Sequence, residues 1–126
     1  MKRSWIGLTL LLVLLAAGLL TTWAMGRIHQ PIAQDLEQAA DRALAGDWSS
    51  AEAFSRQAVT GWEKWAHFRA CLADHSPVEE IDAGIAQLRV YGIARDEVSF
   101  AAVCAELAKK IDAVGDAHGL VWWNML

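Results

Sequence analysis

The stretch from residue 4 to residue 26 constrains the fold most, because it contains no charged side chain. Its central part, residues 5–25, reads WIGLTLLLVLLAAGLLTTWAM, and nothing in it is more polar than threonine. A helix of about 20 apolar residues crosses the ~30 Å hydrocarbon core of a bilayer. Trp5 and Trp23 stand near its two ends, where tryptophan rings favour the headgroup boundary. The sequence therefore predicts a transmembrane helix that contacts membrane lipid through residues 5–25.

The charges on either side of this segment predict its orientation. Lys2 and Arg3 precede it, whereas the first charges after Arg27 are acidic. Because positive residues stay on the cytoplasmic side, we expect a single-pass cell-membrane protein with a cytoplasmic N terminus and an extracytoplasmic body. A cleaved signal peptide with an apolar core over residues 6–20 is the alternative. Both interpretations export residues 28–126.

The chain therefore divides into a signal-anchor, residues 1–27, and a body, residues 28–126. The body has 8 Lys or Arg against 15 Asp or Glu, a formal charge of −7. A protein that binds the phosphate backbone needs clustered Lys and Arg, so nucleic-acid binding is excluded. Cys71 and Cys104 are too few for a four-thiolate zinc site. Outside the cytoplasm they form either one disulfide or two buried free thiols, and the demanding geometry of a disulfide favours the thiols.

Apolar residues of the body recur every three or four positions in four successive segments, which is the helical period. These positions are Ile32, Leu36, Ala40 and Ala43; then Phe54, Ala58, Trp62, Trp65, Phe68 and Leu72; then Val78, Ile81, Ile85, Leu88 and Gly92; then Phe100, Cys104, Leu107, Ile111, Val114, His118, Val121 and Met125. Short connections favour antiparallel neighbours. We predict an all-α fold, in which an N-terminal transmembrane helix is followed by an antiparallel up-down four-helix bundle whose first helix begins near Pro31.

Turn and capping residues predict where the later helices begin and end. A Gly-Asp pair at residues 46–47 ends the first bundle helix, and the second should occupy residues 48–74. Ser76 fits the N-cap of the third helix, with a proline and a glutamate at the favoured positions after it. That helix should stop near Gly92, and Asp96 should cap the fourth.

Tryptophan supplies one set of candidate contact residues. Trp48 follows the first turn, and Trp122 and Trp123 lie near the end of the fourth helix, which should return toward the membrane. Aromatic side chains dominate interfaces and favour the headgroup layer. We therefore predict that these three contact lipid or a protein partner. Trp62 and Trp65 fall on the apolar stripe of the second helix, which favours core packing for both.

A second candidate site is the acidic turn, which we define as Asp74, His75, Glu79, Glu80 and Asp82. Imidazole and carboxylate groups can bind a divalent metal, but this spacing matches no zinc-binding helix motif. A simpler interpretation is that His75 and the acidic residues favour opposite helix-dipole ends, so we predict no metal and no cofactor. The sequence also contains no nucleophile elbow, phosphate loop or dinucleotide glycine motif, which favours a non-enzymatic protein.

Several short motifs occur in an order that resembles a known family. They are Met-Lys-Arg at the start, Gly-Asp-Trp at 46–48, Trp-Glu-Lys-Trp at 62–65, Asp-His-Ser at 74–76, Glu-Ile-Asp at 80–82, a helix with Leu88 and Tyr91, and Asn-x-Leu at 124–126. Together they resemble the domain of unknown function 4363 family of Gram-positive, often spore-forming bacteria. The resemblance implies a small membrane-anchored helical protein with no assigned activity, and an integral membrane protein encoded beside it as a partner.

Two functional hypotheses follow from these features. The first is a non-enzymatic interaction or scaffolding module for an integral membrane partner, because a membrane anchor raises the effective concentration of the body near that partner. The second is an extracytoplasmic four-helix domain that senses a small ligand or a metal, with the acidic turn as its site.

Overall fold

The computed structural model describes the backbone of residues 1–66 and 75–124, and the side chains of residues 1–66 and 77–115. Within these ranges the chain forms four helices and no strand. They are α1 (Lys2–Leu44), α2 (Trp48–Lys64), α3 (His75–Ala94) and α4 (Glu97–Asn124). The predicted all-α fold, with a long apolar N-terminal helix and a bundle of four helices, is confirmed.

The bundle is built around α1, which packs along both α2 and α4, while α3 packs on α4. At one end of the bundle the ring of Trp48 meets the ring of Phe100 edge-on, with the centroids 5.2 Å apart. At the other end, a Cβ placed on Gly115 would lie 3.3 Å from the Cβ of His29. Helices α1 and α4 are therefore antiparallel, with residue 29 level with residue 115.

Helix α1 continues without a break from the apolar segment into the bundle. The sequence predicted a new helix beginning near Pro31, but Pro31 lies inside α1. Proline often breaks a helix, because it lacks an N–H and crowds the carbonyl four residues earlier. Here Pro31 is exposed, so water can reach the carbonyl of Arg27, while His29 and Ile32 are buried and hold the helix in place. Tertiary packing thus overrides the local signal.

The turn between α1 and α2 follows the prediction from its Gly-Asp pair. Gly46 has a φ of +80°, which glycine adopts without steric cost, and its N–H donates to the carbonyl of Ala43 at 3.0 Å. The Asp47 carboxylate accepts a bond of 3.2 Å from the Ser50 N–H and caps α2. Helix α2 therefore starts at Trp48, as expected.

Two predicted boundaries are wrong. Helix α2 ends at Lys64 rather than near residue 74, since the apolar period defines a face but supplies no stop signal. Helix α3 begins at His75, so Ser76 is its second residue and not its N-cap. Proline is tolerated throughout the first turn, where the N–H groups have no acceptor within the helix, and an earlier start is therefore allowed. Helix α3 ends at Ala94, within two residues of the stop predicted near Gly92.

The connection between α3 and α4 is a short capped turn. Arg95 has a φ of +52°, and the Asp96 N–H donates to the carbonyl of Tyr91 at 3.1 Å. The Asp96 carboxylate accepts a bond of 3.2 Å from the Ser99 N–H. The predicted cap of α4 is thus confirmed.

The predicted apolar stripes form the core wherever their side chains are described. All of these positions are buried or half-buried. The largest side chains that are almost completely covered include Trp62, Phe100, Ile81, Leu107 and Ile111. The predicted stripe residues Phe68, Leu72, His118, Val121 and Met125 lie outside the described side chains.

We predict that Gly84→Val weakens the contact between α3 and α4. A Cβ at Gly84 would lie 2.5 Å from Cδ2 of Leu107, and Leu107 is only 1% exposed, so it has no room to move aside. Such overpacking costs about 1–3 kcal/mol of unfolding free energy. The measurement is denaturant unfolding of the full chain in detergent micelles, followed by near-ultraviolet circular dichroism. Ala83→Val, on an exposed neighbour, is the control, and equal losses in both variants would contradict the prediction.

We also predict that the two N-cap carboxylates make the bundle sensitive to acid. Hydrogen bonds from Ser50 and Ser99 lower the pKa of Asp47 and of Asp96 below the ordinary value of 3.8. A carboxyl of this kind stabilises the fold above its unfolded-state pKa and loses that contribution as the pH falls through its folded-state pKa. Stability should therefore decline below about pH 4.

The double variant Asp47→Asn/Asp96→Asn isolates this effect, because asparagine caps helices as well as aspartate does but does not titrate. Its unfolding free energy should fall less steeply with acid than that of the wild type. Parallel pH profiles of the two chains, measured by denaturant unfolding, would refute the assignment.

Candidate functional site

The first half of α1 is an apolar helix whose side chains are almost all exposed. It contains an 18-residue window with a mean hydropathy of 2.2, of which 6% is buried. In the described part of the chain, α1 is the one helix long and apolar enough to span a membrane. Trp5 and Trp23 are exposed near its two ends, and the Arg27 guanidinium lies 4.7 Å from the centre of the Trp23 ring. This apolar surface needs a non-aqueous environment.

The candidate contact tryptophans lie at opposite ends of the bundle. Trp48 is half-buried at the end far from the apolar segment, where it packs on Phe100. Trp122 and Trp123 belong to the last turn of α4, and their side chains lie outside the described part. The structure therefore does not bring the three predicted contact residues together in one patch.

Trp62 joins three helices near the base of the bundle. It is 1% exposed, as expected for a core position. Its Nε1–H donates to Oδ1 of Asp82 on α3 at 3.0 Å. The ring of Trp62 also meets the ring of His29 on α1 at 6.2 Å, close to edge-on. Trp65 is half-buried, and the Lys64 ammonium lies 5.8 Å from the centre of its ring.

Two described carboxylates of the acidic turn contact other helices. Glu80 lies 3.8 Å from Nζ of Lys110 on α4, and Asp82 accepts the bond from Trp62. Glu79 is exposed. Asp74 and the side chain of His75 lie outside the described part. Among the residues that are described, no three His, Cys, Asp or Glu side chains form a group that could hold a metal ion.

An apolar groove opens between α2 and α3, because these helices pack on α1 and α4 more than on each other. Its volume is about 370 Å³, and its apolar lining comes from Val59, Leu88, Gly92, Ile93 and Phe100. Its polar rim consists of Glu52, Ser55, Arg56 and Arg89. Ile93 is 86% exposed, which is unusual for isoleucine. This groove can accept apolar side chains of another molecule, and no sequence pattern indicated it.

His29 is a buried polar residue that the sequence interpretation missed. It is 2% exposed, and its Nδ1 lies 2.8 Å from the carbonyl oxygen of Met25. Gly115 leaves the space for its side chain on α4. The signal was present in the spacing, since His29 precedes Ile32 by three residues and Leu36 by seven, and therefore continues the buried stripe of α1.

Cys104 is a free thiol with no exposed surface. Burial raises the pKa of this thiol to about 12, because the thiolate would lose its hydration. Cys104 therefore serves as a small core residue and not as a nucleophile. Cys71, its alternative disulfide partner in the sequence interpretation, lies outside the described residues.

We predict that Asp82→Ala loosens α2 from α3, whereas Asp82→Asn does not. Alanine removes the acceptor of the Trp62 N–H, but asparagine retains an acceptor oxygen. The loss for alanine should be about 1 kcal/mol of unfolding free energy, measured by denaturant unfolding in micelles. If asparagine cost as much as alanine, the hydrogen bond would not be the stabilising interaction.

We predict that N-ethylmaleimide modifies Cys104 only after the bundle opens. In a Cys71→Ser background, alkylation at mildly alkaline pH should be slow until denaturant is added, because the thiol is buried and protonated. Ala105→Cys adds an exposed thiol next to it and should react at once. Fast modification of Cys104 in the native state, followed by mass spectrometry, would contradict its core position.

Comparison with known proteins assigns the chain to a family. The model for the domain of unknown function (DUF4363) matches residues 21–124, from the last part of the apolar segment to the end of α4. No curated protein and no solved structure matches the chain. The family match covers most of the 126 residues and confirms the family that the sequence resembles. The chain therefore belongs to the DUF4363 family.

Proposed function

We propose that this chain is a membrane-anchored module whose bundle lies outside the cytoplasm and binds an integral membrane protein without catalysing a reaction. The continuity of α1 carries the proposal, because one helix supplies both the apolar segment and the central helix of the bundle. A bundle attached in this way keeps a fixed height above the bilayer. Lys2 and Arg3 favour a cytoplasmic N terminus.

Anchoring reduces the affinity that such a module needs. Two proteins held in one membrane meet at a high effective concentration, so a small interface gives substantial occupancy. Two of the three described carboxylates of the acidic turn, Glu80 and Asp82, already contact Lys110 and Trp62. A binding role through an apolar surface is therefore better supported than a metal-sensing role through this turn.

The groove between α2 and α3 is the surface that we assign to the partner. Its occupant would be an amphipathic helix of the integral membrane protein, with apolar side chains that enter the groove. Arg56 stands at the rim beside Glu52 and Arg89, and Arg89 already lies 3.5 Å from Glu63. Arg56 therefore favours an acidic residue of the partner beside those apolar ones. Trp48 contributes to this surface indirectly, because it packs on Phe100, which lines the groove.

We predict that a photo-crosslinking amino acid at Ile93 captures an integral membrane protein in intact cell membranes. The same amino acid at Leu44, an exposed apolar residue that does not line the groove, is the matched control. Arg56→Glu should weaken the Ile93 adduct by reversing one rim charge. The readout is mass spectrometry of the adducts. Uncoupled monomer at both positions, or the same adduct from both, would overturn the assignment.

A further inference from the structure

The face of α1 that packs in the bundle extends into the apolar segment. Met25 is 3% exposed and Gly18 is also buried, whereas Leu19 and Leu20 beside Gly18 are 59% and 65% exposed. Gly18, Met25 and Ile32 are spaced by seven residues, which is about two helical turns, so they share one face. The chain therefore covers α1 on this face inside the apolar segment, and not only beyond its end.

The register between α1 and α4 shows how far α4 reaches along this face. His29 lies level with Gly115, and α4 continues nine residues further, to Asn124. At about 1.5 Å per residue this is about 13 Å. Because the helices are antiparallel, Asn124 is level with about residue 20 of α1. That level is about 7 Å inside the end of the apolar segment at Met25.

The last charged residues of α1 and α4 toward the apolar segment lie at the same level along the bundle axis. Asp116 is the last charged residue of α4, and residues 117–126 read AHGLVWWNML. By the same register, Asp116 stands level with about residue 28 of α1, beside Arg27, which is the last charge before the apolar segment. Between this level and its C-terminal end, α4 carries adjacent tryptophans at residues 122–123. Tryptophan favours the boundary between headgroups and acyl chains.

We propose that residues 119–124 of α4 lie at the outer boundary between the headgroups and the acyl chains of the membrane, alongside the last turns of the apolar segment. The partner of this surface is lipid. The bundle is then held by two helices at its base, one that crosses the bilayer and one that ends in its interface. This inference rests on the proposed anchoring by α1 and adds a second contact that fixes how the bundle is rotated.

Depth-dependent quenching of tryptophan emission tests the inference. The full chain is reconstituted into phosphatidylcholine and phosphatidylglycerol vesicles whose acyl chains are brominated near their carboxyl ends. The emission of Trp122 and Trp123 is obtained as the difference between the emission of the wild type and that of the double variant Trp122→Phe/Trp123→Phe. Trp5→Phe/Trp23→Phe reports the anchor in the same way, and Trp48→Phe reports the far end of the bundle. Far-ultraviolet circular dichroism checks that each variant remains helical.

We expect the emission of Trp122 and Trp123 to be quenched to an extent comparable with that of Trp5 and Trp23. The emission of Trp48 should be unchanged. Bromines placed near the methyl ends of the acyl chains should quench Trp122 and Trp123 less. If Trp122 and Trp123 were as insensitive as Trp48 while Trp5 and Trp23 were quenched, the inference would be overturned and the anchor would stand. If none of the four were quenched, the proposed anchoring would fail as well.

Discussion

The antiparallel contact between α1 and α4 holds the remaining helices in place. Helix α2 packs chiefly on α1, and α3 packs on α4, so this contact is the most extensive one that joins the α1–α2 hairpin to the α3–α4 hairpin. Gly115 allows a close approach at the base of this contact, since a Cβ placed on it would lie 3.3 Å from the Cβ of His29. Because α1 is also the apolar helix, the core of the bundle and the proposed anchor share one rigid element.

The features that could be predicted from the sequence are those with a local cause. The stripe of Phe100 and Leu107 became core because a 3.6-residue period places such residues on one face of any helix. The cap at Asp96 depends only on the residues next to it. The continuation of α1 through Pro31 could not be predicted, because it depends on packing by helices that are distant in sequence.

Some features of the candidate site could likewise be predicted from the sequence, and others could not. The apolar segment at residues 5–25 is visible in the sequence, since spanning a membrane depends on length and composition. The groove is not, because it exists only where α2 and α3 are held apart by their packing on other helices. The acidic turn was a candidate site because its residues are close in sequence. In the structure, Glu80 contacts Lys110 on α4, whereas Asp82 contacts Trp62 on α2.

The height of the groove restricts which partner can occupy it. Phe100 is level with about residue 44 of α1, which is 19 residues beyond Met25 and about 28 Å from the end of the apolar segment. A membrane protein with only short external loops would not reach this level. The groove also opens between α2 and α3, with Phe100 of α4 in its lining. In the arrangement that we propose, a partner would therefore need an external part that rises about this far and enters between α2 and α3.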